Sequence, residues 1–489
     1  MDTQTTTLSA SVKRYARYLM VMAGLGGLLY GIDVGAMAAA YPYLKITAGY
    51  TESQLGFTVS AVLGGSIIGS LVAGVLADIF GRKKMILASS LCFALAIPII
   101  CASALSCFGA VGFWVMLSGR VLQGASAGLF GVVVPMYLAE CLAPEFRGKG
   151  TGMFQLFLTI GLVFMAVVGL VVVYAIGASD ADIPIDRKVL AWQLIIWASI
   201  IPGVALFLGA FKLKESPRWL YKRGDRAQAL SSLAANNGEE KAKAILDDII
   251  ASDEAEAKAK AELAEKAKGD SLFQKKYVVP FVLAVLVLAC TQATGVNSAL
   301  NYSVDIFQQS GLEKAWANWA DFGFKVVNVV MTLVAVMLVD RKGRKFLLKI
   351  GTAGIIAGLG LVGTMFALIE HGAMASSMTS GLLVLLGFVI FMAFYAVGPG
   401  VCVWLALSEL MPARIRTNGM AVGMVINQLV STVIASVLPK WSGACGYSWV
   451  FFTLAGFTVI YFITAAFFMP ETKGKTLEEI EQYFAGKKK

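Results

Sequence analysis

Histidine is nearly missing from this chain of 489 residues; the single example is His371. Seven cysteines stand at positions 92, 101, 107, 141, 290, 402 and 445, in or beside apolar runs and without paired spacing. A Cys/His zinc site is therefore not expected, and the thiols read as small buried apolar groups. Charge is scarce as well: 15% of residues are charged, against about 25% in a soluble domain. What fills the gap is apolar, 58% of the chain, spread along its whole length. That pattern excludes an ordinary soluble enzyme and indicates an integral membrane protein. Within the apolar runs there is neither an acid cluster nor a nucleophile–base pair, so no catalytic residue, metal or cofactor is expected, and no enzyme.

The net charge is +10, yet no nucleic-acid partner follows from it. About 19 Lys/Arg fall in short segments on one side of the apolar runs and about 5 on the other, which is the positive-inside bias of a membrane protein among lipids. The first 18 residues are polar and basic, and the apolar run after them lacks a small-residue cleavage site, so the first run is expected to be retained.

Apolar runs occur near 19–40, 57–77, 85–105, 111–138, 152–176, 190–211, 278–306, 321–339, 346–369, 380–407, 418–438 and 447–469. Each approaches or exceeds the ~20 residues that cross a bilayer as a helix. Twelve crossings put both termini on one side. The clusters Lys13/Arg14/Arg17, Arg82/Lys83/Lys84, Arg147/Lys149, Arg341/Lys342/Arg344/Lys345 and Arg414/Arg416 then share that side, read as the cytoplasm. Residues 212–276 interrupt the pattern. Their Ala-, Lys- and Glu-rich stretch carries charges at i,i+4 spacing and reads as short cytoplasmic helices with solvated faces.

Three matched pairs of segments reveal a duplication. "LADIFGRKK" (76–84) returns as "LVDRKGRKF" (338–346), "LAECLAPEFRGKG" (138–150) as "LSELMPARIRTNG" (407–419), and "KESPRWL" (214–220) more weakly as "PETKGKTL" (470–477). The offsets from Asp78 to Asp340, Glu140 to Glu409 and Glu215 to Glu471 are 262, 269 and 256 residues. The chain thus reads as an all-α membrane protein of two six-helix halves in parallel repeat, an architecture that rocks about a central site. The boundaries are 1–211, a linker at 212–276, 277–471, and a tail at 472–489.

Asp78 and Asp340 are placed at helix C-termini, where the dipole disfavours an anion. Arg82 and Arg344 are near them in sequence. Glu140 with Arg147, and Glu409 with Arg414 or Arg416, end the fourth and tenth runs. Such acid/Arg sets read as an inner gate of ion pairs, with topology anchoring and local capping as the plainer alternative.

Together, "GVLADIFGRKK", "GRVLQGASAG", "YLAECLAPEFRGKG", "KESPRWL", "VDRKGRK", "SELMPARIRTNG" and "PETKGKTLEEI" resemble the signature set of the sugar porter family in the major facilitator superfamily, from residue 24 to 480. Glu215, Arg218 and Glu471 join the gate by that resemblance. It implies a monomeric, multi-pass carrier in the cell membrane that moves a sugar or polyol.

Asp33, in "YGIDVG", lies in an otherwise apolar run. A carboxylate there costs roughly 2.5–3.5 kcal/mol on insertion scales. At 1.5 Å rise per residue, Asp33 and Arg120 are each roughly 12–13 Å from the outer ends of their helices, so they can share one level. A carboxylate beside Arg⁺ stays ionised and, moved away while desolvated, takes up a proton. Proton-coupled sugar porters carry Asp and Arg at the positions matching Asp33 and Arg120, and facilitative relatives have a neutral residue on the first helix. The resemblance therefore implies H⁺ symport. A static ion pair is the alternative, as are a uniporter and a transporter-like nutrient sensor.

Five amides interrupt apolar runs: Gln155, Gln292, Asn297, Asn328 and Asn427. With Trp404 they suggest a wet polar cavity, each amide having an interhelical hydrogen bond as its other reading. By resemblance these positions match sugar-contacting residues, with Tyr30, Thr291, Asn301 and Gln428 beside them. Thr291 stands where the family usually has Gln, Asn301 where Tyr is common, Ala396 where an acid often precedes "VGPG", and Gln428 where Trp is frequent. Lys325 lies on the face of Asn328. It attracts an anionic ligand such as a sugar acid, pairs with Asp321 or Asp305, or snorkels outward. Gly398-Pro399-Gly400 is expected to break the tenth helix.

Overall fold

In the computed structural model, the described residues are 10–142, 144–177, 183–266, 274–412, 414–471, 479 and 483–484. They form helices alone, with no strand among them. Twelve are long and apolar enough to cross a membrane: span 1 (Arg14–Thr47), span 2 (Glu52–Phe80), span 3 (Arg82–Ala102), span 4 (Gly112–Cys141), span 5 (Met153–Ile176), span 6 (Ile185–Ala210), span 7 (Tyr277–Gln309), span 8 (Lys314–Val339), span 9 (Arg344–Glu370), span 10 (Met378–Val403), span 11 (Asn418–Cys445) and span 12 (Tyr447–Phe468). Between spans 6 and 7 lie the short helices Pro217–Lys222 and Arg226–Asn237 and the longer Glu239–Lys266, whose apolar residues Leu220, Leu233, Leu246 and Ile249 pack into a small core of their own.

Glycine sets the helix spacing. A Cβ built on Gly27 would lie 2.1 Å from the Phe154 carbonyl oxygen, and one on Gly31 1.9 Å from that of Leu158, so spans 1 and 5 touch backbone to backbone. Spans 2 and 4 do the same at Gly65, Gly69, Gly124 and Gly128, and span 2 meets span 11 at Gly56, against the Ser436 carbonyl. Small residues permit this close approach where no hydrophobic effect drives helices together.

Three spans are interrupted in mid-course, span 6 only at the single residue Ser199. Span 10 breaks at Gly398 (φ −101°, ψ −95°), ahead of Pro399, where the sequence places it. Span 7 breaks at Thr294–Gly295, with Gly295 left-handed at φ 80°. The segment Val296–Gln309 is thereby an independent short helix. Thr294 and Gly295 carry no proline signal, which is why the sequence reads this run as continuous.

Candidate substrate and proton site

On span 1, Gly27 and Gly31 face span 5, whereas Gly26 faces Val134 of span 4. Tyr30 and Asp33 follow Gly26 at four and seven residues, so they share its face. Asp33 is 1% exposed, and neither carboxylate oxygen has a hydrogen-bond partner among the described residues. Arg120 of span 4 is also 1% exposed and close enough for the two charges to act on each other. Its guanidinium is turned to other acceptors. Nε donates to the Thr58 carbonyl at 3.2 Å, and one terminal nitrogen donates to the Gln123 side-chain oxygen at 2.8 Å. The other terminal nitrogen is unpaired. Sequence reasoning brought the acid and the arginine to one level but missed Gln123 and Thr58; three residues from Arg120 on the same helix, Gln123 was the readable one.

The amides of spans 7 and 11 form a connected set. Gln292 donates to Asn427 Oδ1 at 3.2 Å, Asn297 donates to Gln292 Oε1 at 3.0 Å and to Ser431 Oγ at 2.7 Å, and Asn427 donates to the Leu288 carbonyl at 2.9 Å. Asn301 donates to the Asn297 carbonyl at 2.7 Å, and Thr291 to Tyr461 Oη at 2.9 Å. Gln428 reaches the other half, donating to Ser66 Oγ at 3.2 Å and Tyr30 Oη at 3.4 Å. Asn328 is 9% exposed and accepts from Thr332 at 3.5 Å, while Gln155 is exposed on span 5. These two stand apart from the hydrogen-bonded set. The side chain of Trp404 lies outside the described residues.

Lys325 neither snorkels nor faces open space. It is fully buried and donates to Asp321 Oδ2 at 2.7 Å; Ser303 of span 7 donates to the other oxygen at 2.5 Å. The i−4 pairing is thus the one formed. Asp305, the other candidate acid, bonds instead to Lys45 at 3.4 Å and Tyr447 Oη at 3.0 Å.

At the end of the bundle that carries the basic turns, the described ion pairs join neighbouring helices. Arg82 binds Glu140 through two nitrogens, at 2.9 and 3.0 Å, as well as Asp78 at 2.9 Å. Glu140 also accepts from the Ser216 hydroxyl, and the side chain of Arg147 lies outside the described residues. Glu215 caps span 3, accepting from the backbone N–H groups of Arg82 and Lys83 at 2.9 and 3.0 Å. The second half repeats this. Arg344 pairs with Glu409 at 3.2 Å, and Glu471 accepts from the Arg344 N–H at 3.1 Å. Arg414 lies over the Tyr277 ring at 5.4 Å, and the side chain of Arg416, the other candidate beside Glu409, is outside the described residues. Gly81 and Gly343 both have positive φ, and a Cβ on either would strike the capping carboxylate. Arg218 is half-buried, and the side chain of Asp340 is outside the described residues.

All of these ion pairs and caps stay within one half. Bonds that cross between halves lie in mid-membrane or at the opposite, far end: Gln428 to Tyr30 and Ser66, Lys45 to Asp305, and Trp319 to Tyr174 at 3.1 Å. Tyr41 and Tyr302 meet edge to face at 4.8 Å, and Lys314 lies 4.0 Å over the Tyr43 ring. Among the described residues, no hydrogen bond or ion pair joins the halves at the basic-turn end. The described ties between the halves thus hold the far end together.

The sequence matches the family model described as "Sugar (and other) transporter" over residues 19–484. The chain belongs to the sugar transporter family. Among its relatives are the arabinose-proton symporter of Bacillus subtilis (28% identical over 460 residues, 94% of this chain and 93% of that one) and the major myo-inositol transporter of the same organism (30% over 484 residues, 96% and 94%). The fold is similar to the inward open conformation of the xylose transporter XylE from E. coli, with a TM-score of 0.80 at 24% identity, covering 96% of this chain and 100% of that one. This sugar porter is a multi-pass membrane transporter of the major facilitator superfamily, not an enzyme.

Proposed function

We propose that the protein is a proton-coupled symporter of a neutral sugar or sugar-like polyol, working by alternating access in the cell membrane. The single observation that carries the reading is Asp33, a buried carboxylate with both oxygens unpaired beside an arginine bound elsewhere. An unpartnered buried acid is costly, and a group of that kind inside a membrane is explained by a functional cycle rather than by stability. In the far-end-closed state Asp33 is set to give up or take a proton; in the alternate state, renewed contact with Arg120 favours the ionised form. The proton affinity then follows the conformation, and the membrane proton gradient drives the cycle.

The halves 1–211 and 277–471 rock about the site, with 212–276 and 472–489 as cytoplasmic linker and tail. The basic-turn end faces the cytoplasm, as the excess of Lys/Arg there suggests. Gln155, Thr291, Gln292, Asn297, Asn301, Asn328, Trp404 and Asn427 are the candidate sugar contacts. Several already bond to one another and can exchange those partners for sugar hydroxyls. A facilitative uniporter would have no use for Asp33. An anionic substrate is disfavoured, because the charge of Lys325 is met by Asp321.

Proteoliposomes test the reading. Addition of a carried sugar should alkalinise the medium, and Asp33→Asn should abolish both this signal and uphill accumulation while retaining exchange. Uphill uptake by Asp33→Asn at the wild-type level would refute coupling through this group. If no pentose, hexose or polyol in a panel is carried, the sugar reading fails.

A further inference from the structure

Asn427 and Gln428 are neighbours on span 11, about 100° apart around the helix. Their side chains serve different halves of the protein. Asn427 holds Gln292 and the Leu288 carbonyl within its own half, and Gln428 crosses to Tyr30 and Ser66 in the other. Of the hydrogen bonds that join the two halves among the described residues, these two lie deepest; the rest cluster at the far end. Tyr30, in turn, precedes Asp33 by three residues on the same face of span 1.

We propose that Gln428 is the positioning residue through which occupancy of the amide site reaches the proton site, by way of Tyr30. The amide nitrogen of Gln428 has two hydrogens, and Tyr30 and Ser66 take both. A sugar hydroxyl arriving beside Asn427 and Gln292 competes for one of them. When Gln428 turns to the sugar, the Tyr30 oxygen loses its donor and spans 1 and 2 lose their polar tie to span 11. The loss changes the dipoles one turn from Asp33 and frees the two halves to move at mid-depth. Linkage makes the effect mutual: a sugar that alters proton binding by some factor has its own binding altered by that factor when the proton binds.

This inference rests on proton symport as proposed above, and the experiment separates the two. Wild type, Gln428→Leu, Tyr30→Phe and the Gln428→Leu/Tyr30→Phe pair are reconstituted. The first sugar carried by wild type from a panel of radiolabelled D-galactose, L-arabinose and myo-inositol is then followed by counterflow and by sugar-driven alkalinisation. Each single variant should lose at least half of the proton-to-sugar ratio, whether or not its counterflow KM changes. Uptake by each should become insensitive to external pH. The pair should be no worse than either single variant, because both break one link. Tyr30→Phe keeps the ring and removes only the oxygen, which guards against a folding artefact in Gln428→Leu. An unchanged proton-to-sugar ratio in both single variants, with only the counterflow KM raised, would make Gln428 a plain sugar contact and overturn the inference. Absence of alkalinisation in wild type would instead overturn symport itself, and the inference with it.

Discussion

Lys325 is a charge in an otherwise apolar run, and its role turns on which of two acids it meets. The structure shows Asp321 one turn away, with Ser303 completing the carboxylate, while Asp305 is occupied by Lys45 and Tyr447. Removing one member of a buried pair leaves a naked charge, at a cost of about 3–5 kcal/mol, whereas replacing both by apolar or neutral groups is often nearly neutral. Lys325→Met should therefore lower the melting temperature of the detergent-solubilised protein sharply, and Lys325→Met with Asp321→Asn should restore most of it. A Lys325→Met variant that melts like wild type would show that the pair contributes nothing. The partner of Glu140 was no more legible. Arg82 is 58 positions away, beyond the reach of any local sequence pattern. Only the side-by-side packing of spans 2, 3 and 4 brings Arg82 to it.

Elements were more legible, because a run of about 20 apolar residues has one stable fate in lipid. All twelve runs became spans, and the Gly-Pro-Gly break in span 10 stands where expected. The span 7 break was invisible because its cause is a left-handed glycine supported by tertiary packing against Leu454. Glycine itself divides into two kinds. Gly74 has nothing within 4 Å of a built Cβ, so Gly74→Ala should be tolerated, with a gain of up to roughly 0.5–1 kcal/mol from helix propensity. A Cβ on Gly31 meets a backbone carbonyl of span 5 at 1.9 Å, which no rotamer change relieves. Gly31→Ala should lower the melting temperature and displace Asp33, reducing sugar-driven alkalinisation along with stability. Equal melting temperatures for the two variants would remove glycine packing as the device that fixes span 1.

At the scale of the whole molecule, the duplication was readable because the gate motifs recur at offsets of 262, 269 and 256 residues. The conformational state was not, since one sequence must encode every state of the cycle. What fixes this state is the packing between the halves at the far end, which includes the backbone contact of Gly56 with Ser436 and several ties between side chains: Lys45 with Asp305, Tyr41 with Tyr302, Lys314 over Tyr43 and Trp319 with Tyr174. The first two of these ties hold Val296–Gln309, the half of span 7 released by the Gly295 break, against span 1. A closure of this kind has to be weak enough to open in each cycle. A partly exposed ion pair is worth about 1 kcal/mol or less, which corresponds to a several-fold change in population rather than a permanent seal. Asp305→Asn should therefore move the equilibrium toward the far-end-open state by up to about fivefold. Spin labels at Ile46 and Gln309, both exposed at the far ends of spans 1 and 7, would report this as a second, longer distance. High salt should reproduce part of the shift in wild type and little in the variant, because screening acts on the charge pair that Asp305→Asn has already removed. An unchanged distance distribution in Asp305→Asn would show that the Lys45–Asp305 pair contributes nothing to the closure.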